Sequence, residues 1–195
     1  MPETIRFPFL PNIQPGELCS TVKKIAQHLQ VETPDFRNLR KTLRTWKIWD
    51  KEKTPSFLEF IRVNTSEDTI EPGPFLTYFL EIPDVRQQNT IVFQYLNDLN
   101  PLLVKAIFEA LDTEKDGRIQ STNELYRLIT SYVYPGEHLG LPDFQNWVAW
   151  MQAAEVLRTI GLRWGLGPVG TAFLEEIRQI DMEELLVIFG RELLI

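Results

Sequence analysis

Apolar residues near the start of the chain recur at three- and four-residue steps. From Leu18, the spacing of Val22, Ile25, Ala26 and Leu29 predicts a helix that ends at Val31. Glu32, Thr33 and Pro34 break it, with Thr33 suited to cap the next helix and Pro34 to its first position. A second helix is predicted over residues 34–47, with Phe36, Leu39, Leu43 and Trp46 as its apolar stripe. Ahead of these lies an extended arm at 1–17, with prolines at 2, 8, 11 and 15 and with Phe7, Phe9 and Leu10 available to pack. Ile48 and Trp49, a charged turn at 50–55 and the apolar residues 57–63 read as a β-hairpin.

Residues 64–74 are polar and acidic and close on Pro72, Gly73 and Pro74, which reads as a linker. Apolar stretches follow at 75–82 and 91–99. Asn100 and Pro101 look like a cap for a helix at 102–111, and residues 117–120 form a short strand candidate. Ser121 and Glu124 make a capping box for a helix to about residue 134. After a loop at 135–142, Asp143 caps a long helix expected to reach about Thr159. A strand at 161–166, a turn at 167–170 and closing helices at 171–180 and 182–194 complete the reading. The chain thus divides into an arm (1–17), a first module (18–63), a linker with connecting segments (64–100) and a helical domain (101–195). The fold class is mainly α with short β-hairpins.

Composition is that of an ordinary globular protein, 44% hydrophobic and 24% charged over 195 residues. No apolar run approaches the roughly 18 residues of a membrane span, and the N-terminus lacks the pattern of a secretory signal. The single cysteine, Cys19, fits a reducing compartment, so a cytoplasmic location is expected. Charge is unevenly spread. Residues 21–53 hold nine Lys or Arg against four acids, a net of +5, so the remainder carries −12 of the total of −7.

The sequence from Val22 to Leu43 resembles a prokaryotic winged helix-turn-helix, through Ile25, Ala26, Leu29, Val31, Phe36, Leu39 and Leu43. It departs from that pattern at Gln30, where such turns often carry glycine. At 100° per residue, Arg37, Arg40, Lys41, Arg44 and Lys47 cluster about 120° from the apolar stripe. The resemblance implies a recognition helix whose cations meet phosphates, with Arg37 and Asn38 near base edges and Thr33 at the cap. Lys51 and Lys53 would form the wing. The implied partner is double-stranded DNA and the implied role regulatory, as in transcription, or accessory.

A second winged-helix resemblance covers residues 101–180, in the order helix, short strand (117–120), helix, helix, then the stretch from Gly161 to Gly170. Its third helix differs: from 143 to 157 it has no Lys or Arg, and Trp147 and Trp150 stand three residues apart. Without cations such a helix cannot offset phosphate charge, so it would meet protein or bury its tryptophans, at least one of which reads as core. The alternative function is therefore an interaction subunit whose winged helices dock on protein partners. A homodimer through the C-terminal half fits either role, because the last helix is rich in apolar residues.

Other chemistry is weakly represented. Residues 112–119 resemble the start of a calcium-binding loop, but the twelfth position is Asn123, and the acid, Glu124, comes one residue late. Cys19, His28 and His138 show no metal-ligand spacing. The glycines at 161–170 lack phosphate-loop spacing. The expectation is a non-enzymatic protein without a cofactor.

Overall fold

A helix that is apolar on nearly every side must sit inside other elements, and residues 101–112 are such a helix. The computed structural model describes residues 4–5, 41, 44–45, 61–64, 69–112, 119–133 and 138–192. Their elements, in chain order, are β1 (Thr4–Ile5), β2 (Ile61–Asn64), β3 (Thr69–Pro72), α1 (Pro74–Glu81), α2 (Val85–Leu99), α3 (Pro101–Asp112) and α4 (Thr122–Tyr132). Then come β4 (His138–Leu139), α5 (Leu141–Ala153), β5 (Leu157–Ile160), β6 (Arg163–Leu166), α6 (Pro168–Gln179) and α7 (Met182–Glu192). The described chain is mainly helical, as the periodicity predicts.

α3 is the central helix. Residues 102–108 and Ala110 are all buried, and α2, α4, α6, α7 and β6 pack around it. The cluster extends from Phe79 in α1 to Leu185 in α7 and includes Trp147 and Trp150, each 1% exposed. Each large apolar side chain so enclosed contributes about 1.5–3 kcal/mol. Rings link the layers: Phe93 lies 5.8 Å from Phe108 and 5.0 Å from Phe173, and Tyr126 meets Phe144 edge-on at 5.5 Å.

Local signals set the helix starts. Asn100 Oδ1 accepts from the Leu103 amide at 3.0 Å, and Pro101 occupies a position where a missing N–H costs nothing. Ser121 Oγ accepts from the Glu124 amide at 3.1 Å. The Glu124 carboxylate reaches back to the amide of Gln120 at 2.8 Å, one residue before the cap. Asp84, not anticipated as a cap, accepts from the Gln87 amide at 2.9 Å and opens α2.

Several boundaries differ from the sequence expectation. The long helix from 143 to 159 is instead α5, which starts at Leu141 behind Gly140 and stops at Ala153. Glu155 then turns the chain with φ 57°, and residues 157–160 form a strand paired with β6. The close approach of α6 fixes that break: a Cβ on Gly167 would lie 2.2 Å from the Glu155 carbonyl oxygen. Gly167 also donates to the Val156 carbonyl at 2.8 Å, and Val169 to that of Glu155 at 3.1 Å. The expected turn at 167–170 is therefore the start of a helix.

The polar stretch read as a linker contains β3, paired antiparallel with β2 in the register Ile61 to Pro72. The connecting segments beyond it are α1 and α2, and both supply the core. β1 pairs in parallel with β4, Thr4 opposite His138 and Ile5 opposite Leu139, so the start of the arm lies beside the approach to α5. The rest of the arm, the helix at 18–31, most of that at 34–47, residues 48–60 of the hairpin expected at 48–63, the loop residues 113–118 and the end of the last helix lie outside the described residues.

Candidate nucleic-acid and protein interfaces

Of the nine residues expected to touch DNA, two are described. Lys41 and Arg44 are both helical and both exposed, and Thr45 Oγ1 donates to the Lys41 carbonyl at 3.0 Å, one turn of helix away. Three residues apart, the two cations share a face. Thr33, Arg37, Asn38, Arg40, Lys47, Lys51 and Lys53 lie outside the described residues.

The C-terminal half presents a different surface. Between α3 and α4 the chain passes through Ile119, whose carbonyl accepts from the Trp164 amide of β6 at 2.8 Å. Ile119 thereby extends the β5–β6 hairpin by one contact and fastens it to the helices. α5 carries a single charged residue, Asp143, and both of its tryptophans are core. The outward hairpin face carries Arg158 and Ile160. Its tip, Leu162, is 85% exposed, the most exposed of the large apolar side chains described. On α7, Leu185 is buried while Leu186, Val187 and Ile188 remain exposed.

Two polar arrangements were missed at the sequence level. Lys105, 4% exposed, stands alone in the apolar run of α3 and donates to the carbonyls of Ile177 and Arg178 at 2.9 and 3.1 Å. It also pairs with Glu109 at 3.1 Å. The only hint was a lone cation among apolar neighbours. Asp112, the first residue of the calcium-loop resemblance, takes the Arg178 guanidinium in two contacts of 2.7 and 2.5 Å. Those hydrogen bonds hold its carboxyl below the usual range, with a smaller Coulombic contribution, while the Arg178 pKa is raised in turn. Arg178 also binds Glu175. Both arrangements tie α6 to α3, so they are structural.

A cleft of about 310 Å³ opens between α2 and α6. Phe93, Phe173 and Ile177 form its apolar lining, and Asp98 and Glu176 supply two carboxylates. Asn97 Oδ1 is buried there and accepts no hydrogen bond among the described residues. Among the described residues, no three His, Cys, Asp or Glu side chains group to hold a metal ion, and no helix is long and apolar enough to cross a membrane. Compared with models of known families, with characterised proteins and with solved structures, the chain finds no match.

Proposed function

We propose that this is a non-catalytic DNA-binding protein, regulatory or accessory, with winged helix-turn-helix modules in tandem. The first module meets the duplex through the helix at 34–47 and the wing at 50–55. The observation that carries this reading is the pair Lys41 and Arg44, exposed on one face of a helix within a block of net charge +5. A cationic helix face beside an apolar one suits a major groove flanked by phosphates. Duplex binding measured at two salt concentrations tests it. Affinity is expected to fall steeply with salt; binding that is absent or insensitive to salt rejects it.

The second module comprises α3, Ile119, α4, α5 and the β5–β6 hairpin. The bond from Trp164 to Ile119 supports the winged-helix reading, since it joins the segment between α3 and α4 to the hairpin, although Ile119 and Gln120 do not form the expected strand. Its third helix lacks cations and cannot neutralise phosphate, so this module is assigned to protein contact. That assignment also supports the second reading, an interaction subunit in which neither module touches DNA. A stable protein complex that survives loss of the cations at 37–47 favours it.

A further inference from the structure

We draw no further inference here: the strongest candidate, the exposed apolar tip of the β5–β6 hairpin at Ile160 and Leu162 beside Arg158, carries nothing, because nothing in the structure shows what covers it.

Discussion

The ammonium of Lys105 donates to the carbonyl of Ile177 across 72 residues of chain, at 2.9 Å. With its second bond, to Arg178, it serves two carbonyls at the end of α6, of which that of Ile177 also accepts the longer bond from the Ile180 amide at 3.3 Å. A cation at this terminus also matches the helix dipole. Lys105→Met keeps the apolar stem and removes the donor, so the part-buried Arg178 carbonyl loses this bond and the buried Ile177 carbonyl keeps only the longer bond from Ile180. The expected cost is about 2–3 kcal/mol, read as a lower urea midpoint at unchanged slope. An unchanged midpoint would show that water replaces the ammonium at no cost.

What was legible in the sequence follows from how far each cause reaches along the chain. The caps at Asn100 and Ser121 are local, since each side chain bonds an amide three residues ahead. Ser121→Ala is therefore expected to destabilise the protein by about 1 kcal/mol, measured by thermal or urea unfolding, and no loss would mean the cap is redundant with Glu124. The role of Lys105 was illegible because the carbonyls it serves lie on another helix. The basic face at 37–47 was read from spacing alone, and only Lys41 and Arg44 of it are described. The cleft could not be anticipated, because α2 and α6 meet only in the folded chain.

The end of α5 shows the same limit from the other side. Met151, Ala154, Leu157 and Ile160 continue an apolar pattern at helical spacing, yet the helix stops at Ala153. The cause is the packing of α6 against Glu155 and Val156, which leaves no room for a side chain on Gly167. Gly167→Ala forces main chain apart rather than a flexible side chain. The expected loss is about 2–3 kcal/mol, at the upper end of overpacking costs, with the hairpin amides exchanging faster by NMR. Full retention of stability would mean that α6 can slide away from the turn.

Asp112 gives the fold a dependence on acid. Its carboxyl is held below the usual range by the Arg178 guanidinium, so the bond contributes stability above the ordinary carboxylate pKa and loses it as pH falls through the lowered value. Arg178 stays charged throughout. Asp112→Asn is expected to be less stable than the native chain near neutral pH, with the gap closing on acidification. Urea midpoints of both proteins across that pH range check it. A gap that is constant with pH would assign the loss to packing instead.

Lys41 and Arg44 make the DNA reading quantitative. Each phosphate contact releases counterion, contributing about 0.9 to the slope of log affinity against log salt. If both cations meet phosphates, Lys41→Ala/Arg44→Ala lowers that slope by about 1.8 and weakens binding to all duplexes alike. Both residues are exposed, so the fold should be untouched and the comparison clean. Fluorescence anisotropy on two unrelated duplexes separates the outcomes. Loss confined to one sequence would move these residues from phosphate to base edges. A slope equal to that of the native chain would take the helix off the duplex and leave the protein-docking reading in its place.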